Sequence, residues 1–144
     1  MLKHKCILVV DDDDAIREML RWRFELAGFG VLEASNGSEA VKAAQTTKPD
    51  LVVLDLMMPV MNGLQAARVL KLMKPEVPLV MFTSEGGSDL EQEASESGIS
   101  AFVPKCGGTD RLLASADCLL GLGDTAHCGP PVGGRNPDPA GAMA

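Results

Sequence analysis

The residues of this sequence best suited to metal binding and catalysis are a run of four aspartates and one further aspartate, Asp55. Four consecutive aspartates, residues 11–14, follow the apolar run 6–10, and Asp55 follows the apolar run 51–54. Both runs have the β-branched composition of buried strands, and parallel pairing of the two would bring the acids to one edge of a sheet. Crowded oxygen ligands of this kind favour a hard cation such as Mg²⁺.

A hydroxyl and an ammonium end two later runs of the same kind. Thr83 follows the run 79–82, and Lys105 comes shortly after the run 101–103. Taken alone, Thr83 is an ordinary strand-end hydroxyl and Lys105 an ordinary surface lysine. Together with the acids they supply a metal site, an acceptor carboxylate, a hydroxyl and a positive charge. This set suits phosphoryl transfer to a carboxylate.

Strands and helices are predicted to alternate along the chain. The predicted strands are 6–10, 31–34, 51–54, 79–82 and 101–103. Apolar residues at helical spacing predict helices from an Asp14 cap to Gly28, over 39–46 after Asn36, from Ala66 to before Pro75, over 89–97, and from a Thr109 or Asp110 cap through Leu120. Short connections between them predict an α/β protein with a parallel sheet and helices on both faces. The helix 89–97 is expected to be the least firmly held.

Composition limits the classes of protein that need consideration. With 144 residues, 46% of them hydrophobic, the chain can bury one core of ordinary size. Its formal net charge of −7 argues against direct nucleic-acid binding and favours a protein partner. The four cysteines have no CxxC spacing, which favours reduced thiols and a cytoplasmic location. No run approaches the roughly 20 apolar residues of a membrane span, and residues 1–5 do not have the character of a signal peptide.

The C-terminal residues differ in composition from the rest. Residues 123–144 are rich in Gly and Pro and are predicted to form a flexible tail after a domain spanning 1–122. His127 and Cys128 lie in this tail, and two isolated ligands in a flexible segment make a poor metal site.

Ordinary structural roles explain part of the acidic and methionine-rich segments. Asp13 and Asp14 fit the positive end of a helix dipole, but Asp11 and Asp12 at a buried strand end would repel each other without a compensating cation. Met57, Met58 and Met61 are interpreted as loop packing rather than as a soft-metal site.

Four segments, ILVVDDDDAIR, DLVVLDLMMPVMNG, PLVMFTS and FVPK, carry a specific resemblance. In their order and spacing the sequence resembles the receiver domain of bacterial two-component response regulators over about residues 5–121. The resemblance implies a flavodoxin-like, doubly wound (βα)5 fold with strand order 2-1-3-4-5. It also implies a stand-alone receiver like those of chemotaxis and sporulation relays.

The resemblance assigns roles to individual residues. Asp55 matches the aspartate that accepts the phosphoryl group. Asp11 and Asp12 match the acid pair that holds Mg²⁺, Asp12 directly and Asp11 through water, and the carbonyl of Met57 matches a backbone metal ligand. Thr83 matches the hydroxyl residue that moves toward the phosphoryl oxygen. Lys105 matches the ammonium that pairs with that oxygen, and Phe102 matches the aromatic ring that rotates inward.

Three features depart from the family pattern. Family members usually have Lys-Pro with a cis bond at the fifth strand end, whereas here Pro104 precedes Lys105, which leaves the Lys105–Cys106 geometry open. Phe102 replaces the commoner tyrosine. The last helix is apolar on more than one side, and we hypothesise that part of it forms a dimer or partner face.

The function expected on this basis is that of a phosphorylated signalling switch. A phosphohistidine of a sensor kinase or phosphotransfer protein donates to Asp55 with Mg²⁺, and the face made by the fourth helix, fifth strand and fifth helix then signals to a protein target. No output domain follows in this sequence, so transcriptional control by the chain itself is not expected.

Two rival functions are compatible with parts of this pattern. A docking adaptor of the same fold would act without phosphorylation, but it would have no physical need for crowded carboxylates. A haloacid-dehalogenase-like phosphatase normally has a second acid two residues after its nucleophile, and that position is Met57 here.

Overall fold

Strands and helices alternate along residues 5–122, the part of the chain that the structure, a computed structural model, describes. The strands are β1 Cys6–Val10, β2 Gly30–Ala34, β3 Leu51–Leu54, β4 Leu79–Thr83 and β5 Ala101–Pro104. The helices are α1 Asp14–Leu26, α2 Gly37–Thr46, α3 Gly63–Met73, α4 Ser88–Glu96 and α5 Asp110–Leu119, with a short 3-10 turn, Lys105–Gly107, before α5. The predicted elements are confirmed, and most boundaries move by one to three residues.

All five strands pair in parallel, in the order β2-β1-β3-β4-β5. This is the doubly wound, flavodoxin-like 2-1-3-4-5 order that the resemblance to receiver domains implies. Val10 pairs with Leu54 at the carboxyl ends of β1 and β3, and Thr83 pairs with Pro104 at those of β4 and β5. The residues that follow these strands therefore leave the sheet at the same edge.

The sheet separates two apolar clusters of buried side chains. On one face, Ile7 and Val9 of β1 pack with Leu20 and Phe24 of α1 and with Leu112 of α5. The alternate β1 residues, Leu8 and Val10, belong to the other cluster, which side chains of α2, α3 and α4 complete. Because successive side chains of a strand point to opposite faces, the nearly continuous apolar strand runs are those of a sheet covered on both sides.

The first helix begins differently from the prediction. Asp13, not Asp14, is the N-cap of α1, and its Oδ1 accepts hydrogen bonds from the N–H groups of Ala15 and Ile16. Asp14 is the first helical residue, where its carboxylate still faces the positive end of the dipole. In a run of four aspartates, composition alone cannot select the cap.

The last two helices have weak beginnings. Gly87 precedes α4 at φ 126° without a side-chain cap, and Ala94 is the one buried residue within that helix. Thr109 precedes α5 but also makes no capping bond through its side chain, so the predicted side-chain cap is wrong. Thr109 has helical φ and ψ rather than the extended backbone that capping side chains require.

The leucines of α5 contact the protein's own core. Leu112 is buried, and Leu113 and Leu119 pack against the same cluster, as does Leu120 at the C-cap, whereas Leu122 is largely exposed. A dimer or partner face on this helix stays a prediction.

The cysteines are not all reduced. Cys6 and Cys106 are free, but Cys118 is disulfide-bonded, so the prediction of reduced thiols is wrong for this residue.

Three other predictions concern the chain's limits and backbone. The predicted tail 123–144, with His127 and Cys128, lies outside the described residues. No cis peptide bond occurs within residues 5–122, so the Lys105–Cys106 bond is trans. Across the same span, no helix combines the length and the apolar character that a membrane crossing demands.

Candidate functional site

Four strand ends deliver polar side chains to one edge of the sheet. Asp11 and Asp55 directly follow the paired ends of β1 and β3, Thr83 is the last residue of β4, and Lys105 directly follows β5. The backbone N–H of Asp55 donates to the carbonyl of Val10, which continues the ladder by one residue and fixes the two acids side by side. The predicted convergence of these residues is therefore present.

Three carboxylates form the centre of this site. Asp11, Asp12 and Asp55 each offer one oxygen that lies within 4.8 Å of the other two. Asp11 and Asp55 are 1% and 6% exposed, whereas Asp12 is exposed. Because all the donors are carboxylate oxygens and one acid opens to solvent, the group fits a hard divalent ion that keeps part of its water, as Mg²⁺ does.

Lys105 provides the positive charge nearest to the acids. Its Nζ donates a hydrogen bond of 3.0 Å to Asp11 Oδ2, and it lies 3.4 Å from Asp55 Oδ1. Burial alone would lower the pKa of Lys105, but the hydrogen bond to Asp11 and the attraction of both carboxylates outweigh it, so the pKa is raised. The side chain therefore stays charged over the ordinary pH range.

Asp55 sits in an environment that disfavours its charge. Burial raises the pKa of the Asp55 carboxyl, and repulsion from Asp11 raises it further. The Lys105 ammonium and a hydrogen bond from the Leu56 backbone N–H offset part of this effect. An additional cation between the acids would relieve the repulsion, which is the physical reason to expect metal binding here.

Thr83 is held in a local turn. Its side chain is fully buried, and its Oγ1 accepts a hydrogen bond of 3.1 Å from the backbone N–H of Glu85. The hydroxyl proton is free to rotate toward another acceptor, since only the oxygen is engaged in this bond. Movement of the Thr83 side chain would therefore break its hydrogen bond with Glu85 at the start of the β4–α4 connection.

Two further predicted residues lie around this centre. Phe102 is half-buried on β5 and packs against the cluster of the α2, α3 and α4 side. Met57 lies two residues after Asp55 in the β3–α3 loop. Loop packing was predicted for three methionines: Met58 and Met61 do contact that cluster, but the Met57 side chain is mostly exposed, so the prediction is wrong for Met57.

The β3–α3 loop carries backbone strain next to Asp55. Val60 has φ 72°, and the N–H of Met61 donates to the carbonyl of Pro59 across it, the pattern of a γ-turn. Positive φ is rare for a β-branched residue and stores energy of about 1–3 kcal/mol. Gly63 is the first residue of α3, and a Cβ added to it would stand 2.9 Å from Leu56 Cα and even closer to the Asp55 carbonyl oxygen. The loop therefore folds back closely onto the acid.

Arg17 ends the segment ILVVDDDDAIR, but neither the chemistry of the sequence nor the resemblance assigns it a role. Its guanidinium donates a hydrogen bond of 2.7 Å from Nη1 to the backbone carbonyl of Asp11. The local signal is Asp14 three residues earlier, which pairs with Arg17 on the same helix. That spacing indicates an ordinary surface ion pair and nothing more.

Comparison with known proteins identifies relatives of this chain. The family model of the response regulator receiver domain matches residues 7–117. The phosphate regulon transcriptional regulatory protein PhoB of Pseudomonas aeruginosa is 36% identical over 126 residues, which are 84% of this chain and 55% of PhoB. Response regulator MprA of Mycolicibacterium vanbaalenii is also 36% identical, over 79% of this chain and 49% of that protein. The chain thus spans about half the length of these curated relatives.

Solved structures show the same fold. The chemotaxis protein CheY4 of Vibrio cholerae superposes with a TM-score of 0.77 at 28% identity, over 81% of this chain and 99% of that one. The response regulator TrrA of Thermotoga maritima, solved in complex with Mg²⁺-BeF, has a TM-score of 0.73 at 33% identity, over 80% of this chain and 98% of that one.

Proposed function

The chain belongs to the response regulator receiver domain family, and we propose that it accepts a phosphoryl group on Asp55 from a phosphohistidine. The donor would be a sensor histidine kinase or a histidine phosphotransfer protein. In this step the P–N bond of the donor breaks, a P–O bond to an Asp55 carboxylate oxygen forms, and the donor imidazole keeps the electron pair. The protein acts as a signalling switch that assists its own phosphorylation and slow dephosphorylation, rather than as an enzyme with a separate substrate.

One observation carries this proposal: the buried carboxylate of Asp55 lies close to two other acids and to an ammonium. One carboxylate oxygen of Asp55 lies within 4.8 Å of an oxygen of Asp11 and of an oxygen of Asp12. Lys105 Nζ is 3.4 Å from Asp55 Oδ1. Phosphoryl transfer passes through a loose transition state, so the site needs to neutralise charge on the phosphoryl oxygens more than it needs covalent help. Lys105 supplies one fixed positive charge for that purpose.

The second positive charge is proposed to be Mg²⁺. Asp12 and Asp55 would hold it directly, Asp11 through water, and Met57 through its backbone carbonyl. When bound, Mg²⁺ neutralises charge on the phosphoryl oxygens and on the crowded acids. The three-carboxylate cluster supports this assignment, as does the similarity to TrrA, which was solved with Mg²⁺-BeF bound.

Thr83 and Phe102 are proposed to carry the signal away from Asp55. A phosphoryl oxygen would attract the Thr83 hydroxyl, which would leave its turn with Glu85 and give Phe102 room to move inward. The weak start of α4 at Gly87 supports movement of this segment. The α4-β5-α5 face would then present a different surface to a downstream protein target.

Mass spectrometry of the intact protein tests the phosphorylation. The chain is incubated with acetyl phosphate and Mg²⁺, or with a phosphorylated kinase, and we expect one added phosphoryl group that hydroxylamine removes, as it does from acyl phosphates. Asp55→Asn should abolish the addition, while Asp89→Asn, on the exposed surface of α4, should leave it unchanged.

Two results would contradict the proposal. Equal labelling of the Asp55→Asn protein would reject Asp55 as the acceptor. No labelling of the unaltered protein by acetyl phosphate or by phosphohistidine donors would favour the rival function, a docking adaptor that works without phosphorylation.

A further inference from the structure

We propose that Arg17 is a positioning residue that sets the geometry of the Asp11–Asp12 acid pair and thereby the affinity for the divalent ion. The inference rests on the proposed function, because it concerns the same site. Arg17 touches neither Asp55 nor the proposed metal ligand oxygens; its contact is with the backbone that carries them.

Arg17 connects three parts of the fold. Nη1 donates to the Asp11 carbonyl at 2.7 Å, Nε donates to Glu33 Oε1 of β2 at 3.0 Å, and Nη2 pairs with Asp14 in the first turn of α1. The side chain is only 16% exposed, although it carries a full charge. A partly buried guanidinium with all three nitrogens engaged has little freedom, and so it holds its acceptors in one arrangement.

The position of the Asp11 carbonyl determines the direction of the Asp12 backbone. The carbonyl belongs to the planar peptide unit that joins the two acids, so fixing this oxygen also fixes the direction in which the Asp12 backbone leaves. Asp11 is held elsewhere too, since its Oδ1 accepts from the N–H of Asp13 at 2.9 Å and its Oδ2 accepts from Lys105. Asp12 is exposed, and the peptide unit held by Arg17 is its link to the rigid strand end.

Charge and position predict opposite effects of removing Arg17. A positive charge near a cation site repels the cation, so if charge alone mattered, the loss of Arg17 would strengthen Mg²⁺ binding. If Arg17 positions the acids, its loss weakens binding. Arg17→Lys separates the two, because it keeps the charge but replaces a planar fork by a single ammonium that cannot serve three acceptors.

Arg21 provides the matched control. It lies one turn further along α1, is 45% exposed, and approaches the same glutamate, with Nε 3.5 Å from Glu33 Oε2. Arg21→Gln therefore removes a positive charge from the same helix, and with it a second cationic partner of Glu33. Any effect of general charge or of α1 stability should appear in this variant as well.

The experiment measures Mg²⁺ dissociation constants by calorimetry and, separately, phosphorylation by acetyl phosphate over a range of Mg²⁺ concentrations. Mutation of a residue that orients metal ligands typically weakens metal affinity by about 10–100-fold. We therefore expect about tenfold weaker Mg²⁺ binding in Arg17→Lys and Arg17→Gln, and about wild-type Mg²⁺ binding in Arg21→Gln. At saturating Mg²⁺ the phosphorylation rate of the Arg17 variants should return to about the wild-type rate, since the ion then enforces the geometry. A merely structural role would not produce this separation.

The outcomes distinguish this inference from the proposed function. Wild-type affinity in both Arg17 variants, or an equal loss in Arg21→Gln, would overturn the role of Arg17 and leave phosphorylation of Asp55 untouched. Absence of Mg²⁺ binding to the unaltered chain would instead overturn the proposed metal site, and this inference with it. Should the Arg17 variants not fold by circular dichroism, Glu33→Leu removes one of the three acceptors and must weaken Mg²⁺ binding to a smaller degree; unchanged affinity there would also overturn the inference.

Discussion

Asp11 and Asp55 share one counter-charge, the Lys105 ammonium, which lies nearer to Asp11 at 3.0 Å than to Asp55 at 3.4 Å. Both acids are buried, so a single positive charge serves two carboxylates where two would be needed for neutrality. The less well compensated of the two, Asp55, is the proposed phosphoryl acceptor. The site therefore has unfavourable electrostatics before any ion or phosphoryl group is added.

We expect Asp55→Asn to stabilise the protein at neutral pH in the absence of divalent ions. Because the pKa of Asp55 is raised in the folded state, its ionisation as the pH rises costs stability that asparagine does not lose. The free energy of unfolding should therefore be higher than that of the unaltered protein at pH 7, and the difference should vanish below the ordinary pKa of 3.8. Urea unfolding at several pH values measures it. Asp89→Asn is the control, and a destabilised Asp55→Asn protein at pH 7 would contradict the electrostatic account.

Mg²⁺ should stabilise the folded chain, and the effect should depend on Asp12. At a concentration one hundred times the dissociation constant, a ligand of the folded state adds about 2.7 kcal/mol. We expect Asp12→Asn to lose most of this gain. Asp13→Asn should retain it, because Asp13 caps α1 and asparagine caps equally well. Urea unfolding with and without Mg²⁺ gives the comparison, and equal losses in the two variants would speak against a direct role of Asp12.

Thr83→Val should separate phosphorylation from its consequence. Valine keeps the buried shape but has no hydroxyl to donate to a phosphoryl oxygen, so uptake should persist while the response of the β4–α4 connection is lost. Hydrogen exchange of residues 84–90, measured with and without beryllofluoride, reports this response. Thr83→Ser keeps the hydroxyl and should respond as the unaltered protein does. A full response in Thr83→Val would exclude the hydroxyl as the switch.

Gly63→Ala should disturb Asp55 through its backbone. The new Cβ would stand 2.9 Å from Leu56 Cα and closer still to the Asp55 carbonyl, so α3 or the β3–α3 loop must shift. We expect a loss of about 1–3 kcal/mol in the free energy of unfolding, as for other overpacked sites, and slower phosphorylation by acetyl phosphate. Gly86→Ala is the control because nothing lies within 4 Å of its Cβ position. Normal stability and labelling of Gly63→Ala would contradict the close packing.

The sequence was sufficient to predict which residues meet at the site, for a simple geometric reason. The carboxyl ends of parallel strands share one edge, so identifying the strands before Asp11, Asp55, Thr83 and Lys105 was enough to bring the four together. The resemblance to receiver domains then supplied their roles. No comparable rule reveals side-chain contacts between distant elements.

Arg17, Val60 and Asp13 illustrate what could not be predicted. Arg17 reaches Glu33 sixteen residues away, a contact that no helical spacing encodes. Val60 adopts a positive φ against the preference of a β-branched residue, so the surrounding loop, rather than local propensity, imposes it. Asp13 competes with three identical neighbours for the cap, and the choice depends on where β1 ends. In each case tertiary packing decides between local alternatives.

The sheet divides the buried side chains into two clusters, so substitutions at well-separated positions on its two faces should have nearly additive effects on the free energy of unfolding. Residues on opposite faces, such as Leu70 of α3 and Leu112 of α5, belong to different clusters, and distant sites without shared partners usually have additive effects on stability. The α1–α5 side and the α2–α3–α4 side can therefore accumulate substitutions separately during evolution. The loops at the carboxyl edge around Asp55 and the α4-β5-α5 face draw residues from both sides, so substitutions there are the ones expected to couple.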